Sequence, residues 1–207
     1  YNTKYLKDIF AIKEPITFAI LPRAPFSATT ARLCASKGYE VILHLPLESR
    51  EDNEYEEEET IKSGMNAKKV LGILDADLHD VPGARGVSNH TGSKGTEDKR
   101  VMSVIMGELK NRGLYFFDSL TSKKSVCAEA ASEAGVKYGR RDAFLDLPCD
   151  IDYIEKQILM ARKMAFKKGS AVVICHYRKN TVRALVKWMP ILKNDGIRFV
   201  TLSEMVK

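Results

Sequence analysis

The chain has 207 residues, 44% hydrophobic and 29% charged, with a net charge of +6. A chain of this length buries roughly 70% of its unfolded surface, so it needs no disulfide staples. It contains no apolar run of about 18 residues that could span a membrane. The basic balance does not mark a nucleic-acid binder, because Lys and Arg are scattered along the chain without the run that makes a phosphate stripe. The main charge block, at 51–59, is acidic and reads as a solvated loop or helix start.

In chain order, short apolar runs alternate with stretches of helical period. A buried-strand run at 16–21 stops at Pro22. A helix follows at 27–37, with Ser27 as its expected N-cap and Gly38 just beyond it. The next strand, 40–45, is expected to stop at Pro46. After the acidic block come a helix at 67–74 and a short strand at 86–90 that runs into a Gly-rich loop. An amphipathic helix at 99–111 presents Val101, Val104, Ile105 and Leu109 on one face and closes near Gly113. The strand at 114–118 precedes a helix at 125–134. Weak strands are expected near Val136 and at 143–145, and a long helix at 151–168. A strong apolar strand at 171–175, a helix at 181–194, a last strand at 198–201 and a short terminal helix at 202–206 complete the pattern. Such alternation implies an α/β fold with a parallel sheet covered by helices, either doubly wound or a (β/α) barrel. No repeat or linker interrupts it, so the reading is one domain over 1–207. Cys34, Cys127, Cys149 and Cys175 are far apart, which excludes a C-x-x-C motif. Cys34 and Cys175 are expected to be buried free thiols.

In parallel α/β folds the working residues stand at the carboxyl ends of strands. Three of the four histidines, His44, His90 and His176, stand at or just beyond such ends, with Asp118 and Asp142 at others. A single His there is more often a cap or a core residue than a ligand. Three together with two carboxylates favour a functional site, since imidazole and carboxylate are the usual ligands of catalytic zinc, and a further His carries protons near neutrality. In the loop Asn89-His90-Thr91-Gly92-Ser93, Gly92 permits close approach to a ligand, while Asn89 and Ser93 offer neutral hydrogen bonds. Tyr177, beside His176, is a candidate to line a sugar-sized groove. The sequence carries no P-loop, no G-x-G-x-x-G at a helix start and no G-x-S-x-G elbow, which argues against a nucleotide cofactor and a serine hydrolase.

Several stretches are similar to the divergent polysaccharide deacetylase family. They are the runs 15–22 and 38–48, Gly86-Val87-Ser88-Asn89-His90-Thr91-Gly92-Ser93, Phe117-Asp118-Ser119, Arg141-Asp142-Ala143-Phe144-Leu145-Asp146, and His176 at the end of a late strand. They occur in family order over nearly the whole chain. The resemblance implies a distorted (β/α) barrel of the polysaccharide deacetylase type and removal of acetyl groups from an N-acetylated polysaccharide or oligosaccharide. It also implies a divalent metal, commonly zinc, and a periplasmic or extracytoplasmic setting. By position, His44 and His90 match the metal-holding histidines. Asp118 and His176 match polar residues on the same face, with His176 as the group that protonates the leaving amine. Arg141 and Asp142 match the family's Arg-Asp pair, which orients the site. The family opens with a strand ending in two adjacent aspartates, one a ligand and one a base. Here Tyr1-Asn2 resembles the stretch just after them, so that strand is expected upstream of Tyr1. The paired-histidine spacing of the better-known deacetylases is absent. A non-catalytic polysaccharide-binding or regulatory envelope protein on the same fold therefore stays open. An enzyme of phosphorylated sugars needs a Gly-rich phosphate loop near the last strands, where Gly196 stands alone.

Overall fold

A computed structural model describes residues 5–50 and 59–207. Most of the acidic block, at 51–58, lies outside the described residues. The chain divides into two compact units, one of 1–16 and 141–201, the other of 17–140 and 202–207.

The larger unit is built on five strands, β1 (Thr17–Ile20), β2 (Glu40–Leu47), β3 (Gly86–Thr91), β4 (Tyr115–Asp118) and β5 (Tyr138–Arg140), paired in that order. Every pair is parallel. Helices α2 (Ser27–Ser36), α3 (Ala67–Asp80), α4 (Lys99–Arg112) and α5 (Cys127–Ala134) make the crossovers. Successive side chains of a strand point to opposite faces. Val41, Leu43, Leu45 and Leu47 therefore share one face of β2, and all four are buried. Val87 and Phe116 continue that face across the register. The opposite face carries Ile42, His44, Pro46, Ser88, His90 and Phe117.

Local chemistry sets the ends of the elements. The Asp98 carboxylate accepts from the N–H groups of Arg100 and Val101 and so caps α4, which ends at Gly113 with φ +66°. The Asn66 side chain caps α3 in the same way. Ser27 is not the N-cap expected of it. It is the first residue of α2, and its hydroxyl donates to Leu21 O and accepts from Ala24 N, tying the preceding turn. Pro46 does not stop β2, which continues to Leu47 in register with Thr91. Pro46 lacks only a donor, and its carbonyl still accepts from Ile61 N. At the amino end of the sheet Glu40 Oε1 accepts from Thr17 Oγ1, Tyr115 Oη and Ser203 N, at 2.9, 2.8 and 3.1 Å. These bonds fasten the 3-10 turn Leu202–Glu204 to β1, β2 and β4. A Cβ on Gly86 would meet the Tyr115 ring at 2.5 Å, so the Tyr115 hydroxyl reaches Glu40 only because residue 86 is glycine.

The smaller unit pairs β6 (Ala143–Phe144) with β7 (Val173–Ile174), again in parallel. It also holds α1 (Leu6–Ile9), α6 (Ile151–Lys168) and α7 (Lys179–Asn194). Leu145, Ile154, Ile158 and Ala184 form its core, with Ile151, Leu185, Trp188 and Leu192 packed against them. The strand expected at 198–201 is absent; its residues join no ladder. Cys34 and Cys127 are buried free thiols, and burial pushes them up to about 11 and about 12. Cys175, just beyond β7, is a free cysteine with exposed surface, although its surroundings push the thiol up to about 12. Among the described residues, no helix is long and apolar enough to cross a membrane.

Candidate active site

Each unit presents one histidine centre. In the larger unit, His44 and His90 lie on adjacent strands and on the same face, because His44 is in register with Ser88 and His90 with Pro46. Their rings stand edge to face, with centroids 5.0 Å apart. His44 is inside β2, three residues short of its end, rather than at the end expected from Pro46. Its Nδ1 lies 2.8 Å from Ser88 Oγ. Ser88 is buried, so this bond fixes the plane of the His44 ring.

Asn89 and Asp118 alternate away from that face. Asn89 is buried and works as a brace. Its Oδ1 accepts from Ser119 N at 2.8 Å, and its Nδ2 donates to Thr91 O at 2.8 Å and to Thr121 Oγ1 at 3.3 Å. Asp118 is also fully buried. Its Oδ1 accepts from Leu120 N, and its Oδ2 accepts from Ser125 Oγ and Tyr138 Oη. These bonds anchor the loop between β4 and α5. The structure thus gives Asn89 and Asp118 the surroundings of loop anchors and does not bring them onto the histidine face.

Gly92 has φ +90°, and a Cβ there would lie 2.9 Å from Leu47 Cβ. Its close approach is to β2. Ser93 Oγ accepts from Arg50 N at 2.9 Å and lies 3.2 Å from Ser49 Oγ. Ser93 therefore joins the loops that follow β2 and β3.

In the smaller unit, His176 follows β7 and Asp146 follows β6, so both stand at the carboxyl end of that strand pair. His176 Nδ1 lies 3.1 Å from Asp146 Oδ1. Asp146 Oδ2 accepts from His176 N at 2.9 Å and from Thr181 Oγ1 at 2.8 Å. The Asp146 side chain is 0% exposed and that of His176 is 45% exposed. Burial works to raise the Asp146 carboxyl, but the bonds from His176 and Thr181 outweigh it and hold it below the ordinary carboxylate range. Phe144 packs on His176 with ring centroids 5.1 Å apart, and the Arg141 guanidinium lies 5.4 Å from the Phe144 centroid.

Asp142 lies just before β6, at the other end of the strand pair. Its Oδ2 accepts from Val172 N at 2.9 Å, and its Oδ1 is 3.3 Å from Lys168 Nζ. It clips β6 to β7, while Asp146 is the carboxylate that meets His176. Tyr177 packs against Tyr5, with centroids 6.0 Å apart.

A buried carboxylate that holds Nδ1 of a half-exposed histidine is the pairing used for general acid–base work. The carboxylate fixes the tautomer and stabilises the protonated ring. Two imidazoles 5.0 Å apart are suitable nitrogen donors for a divalent metal, but a catalytic zinc takes three protein ligands. Among the described residues no group of three His, Cys, Asp or Glu side chains is placed to hold a metal. The pair alone therefore falls short of the full set.

A sequence model described as divergent polysaccharide deacetylase matches residues 1–206. The chain belongs to that family. Its family relatives include an uncharacterized protein of Haemophilus influenzae, 32% identical over 205 residues, and the uncharacterized protein YibQ of Escherichia coli, 32% identical over 206 residues. The chain spans 72% of the first and 64% of the second. The fold is also that of the crystal structure of the uncharacterized protein ATU2773 from Agrobacterium tumefaciens C58. That chain has a TM-score of 0.93 at 21% identity, and the match covers 100% of this chain and 84% of that one.

Proposed function

We propose that this divergent polysaccharide deacetylase family member is a hydrolase that removes acetyl groups from an N-acetylated polysaccharide of the cell envelope. The observation that carries the reading is the Asp146–His176 pair, a buried carboxylate holding an exposed imidazole. Amide hydrolysis requires that the departing amine be protonated, and a histidine held by a carboxylate is a group that can supply that proton. Asp146 stabilises the charged ring as a carboxylate and does not take the ring's proton, because its carboxyl is held low. Thr181 and the His176 backbone N–H occupy Oδ2, which leaves Oδ1 to the ring. Family membership supports the carbohydrate substrate.

In this reading His44 and His90 are two ligands of a divalent metal, zinc by the family resemblance. The metal would polarise the acetamide carbonyl and acidify a bound water. Ser88 holds His44 so that its ring plane is set before a ligand arrives. Arg141, Ser93 and Tyr177 remain the candidate glycan contacts.

The test is acetate release from N-acetylglucosamine oligomers in the presence of zinc. Wild type is expected to release acetate and bind zinc, and His90→Ala to lose both. Activity that survives in His90→Ala would refute the metal assignment.

A further inference from the structure

The charge of the chain is divided unevenly between its two units. The smaller unit holds 15 Lys and Arg against 8 Asp and Glu, a net +7, whereas the larger unit holds 18 against 19. The basic excess is therefore a property of the smaller unit.

Within that unit, α6 buries one side and exposes the other. Ile154 and Ile158 enter the core. At 100° per residue the opposite side carries Lys156, Lys163 and Lys167, all exposed. Interleaved with them are Leu159, Met160 and Phe166, which are 39%, 57% and 56% exposed. Asp152 is the one acid on that side, at its amino-terminal end. Single exposed apolar residues are normal on a surface, but three large ones on one helix face among three lysines are a pattern. The Arg162 guanidinium lies 4.9 Å from the Phe166 centroid and is paired with Asp195, so the ring is held in its exposed position.

We propose that the outer face of α6 is a contact surface for an anionic lipid membrane. The lysines meet negatively charged headgroups, their long stems letting the ammonium groups stay at headgroup level. Leu159, Met160 and Phe166 enter the boundary between headgroups and acyl chains. A soluble polyanion would satisfy the lysines and leave these three side chains in water. A lipid surface takes both kinds of group, which is why it is the partner assigned. The assignment rests on the charge division and on α6, independently of the hydrolase reading.

The test is flotation of the full chain with phosphatidylglycerol vesicles and with phosphatidylcholine vesicles, beside binding to dextran sulfate. Binding to phosphatidylglycerol, weakened by salt, with little to phosphatidylcholine, is expected. At about five-fold per lysine, neutralising all three with Lys156→Gln, Lys163→Gln and Lys167→Gln should weaken it by about a hundredfold. The pair Met160→Ser and Phe166→Ser should also weaken vesicle binding several-fold while leaving dextran sulfate binding unchanged. Both sets replace exposed side chains, and an unchanged helical circular dichroism spectrum verifies that the variants fold. Two results would overturn the proposal. One is no flotation with phosphatidylglycerol. The other is flotation undiminished by Met160→Ser with Phe166→Ser, which would make the face a polyanion site.

Discussion

Asp146 shows what a single buried carboxylate does in this chain. Two donors on Oδ2 and the His176 ring on Oδ1 give both of its oxygens a partner. Asp146→Ala leaves the His176 N–H and the Thr181 hydroxyl without an acceptor and should cost about 2–4 kcal/mol in urea unfolding. Because its folded pKa is lowered, Asp146 stabilises the fold above the ordinary carboxylate pKa. That contribution is lost as pH falls through the folded value. Asp77 has the opposite sign. It is 1% exposed, and burial pushes its carboxyl up to about 6 in spite of the Arg23 guanidinium at 2.7 Å. Its contribution is present at low pH and is lost as pH rises through about 6. Asp77→Asn should therefore gain about 1 kcal/mol relative to wild type between pH 5 and pH 8, read by unfolding at the two pH values. The sequence pointed to His44, His90 and His176 because histidines near strand ends are few and distinctive. It pointed to Asp142 rather than Asp146 because the Arg-Asp pair stands out. The available signal was the strand at 143–145, which places Asp146 at a carboxyl end and Asp142 before the strand.

The elements show which local rules survive tertiary context. Helix α4 obeys its own signals, with Asp98 before it and Gly113 after it, and Asp98→Ala should cost about 1 kcal/mol in thermal unfolding. Strand β2 overrides its proline, because Pro46 gives up a donor and keeps its acceptor. The segment 198–201 has the apolar, β-branched look of a strand but joins no ladder. Just beyond it the backbone donors of Leu202 and Ser203 go to side chains, Thr17 Oγ1 and Glu40 Oε1. A composition-based reading does not see such side-chain capture. Nor does it see that Gly86 exists for the Tyr115 ring. Gly86→Ala should overpack that contact and cost about 1–3 kcal/mol in chemical denaturation, and Tyr115→Phe should cost about 1 kcal/mol through the lost bond to Glu40.

At the scale of the molecule, alternation of strands and helices made the parallel α/β fold legible, since periods of 2 and 3.6 are written in the residues themselves. The face on which a polar residue lies was harder to read. Asn89 adjoins His90 in sequence and Asp118 ends the strand next to β3, yet pleating turns both away and loop bonds consume them. The net charge of +6 looked scattered along the chain, and only the division into two compact units shows it concentrated in one. The proposed hydrolase activity depends on the acid–base role of His176, held by Asp146. It is tested most directly by acetate release from N-acetylglucosamine oligomers by wild type, His176→Ala and Asp146→Asn, each first shown to be folded. Wild type is expected to turn over, His176→Ala to lose about a hundredfold or more and Asp146→Asn to lose less. Wild-type turnover that persists in His176→Ala would contradict that role.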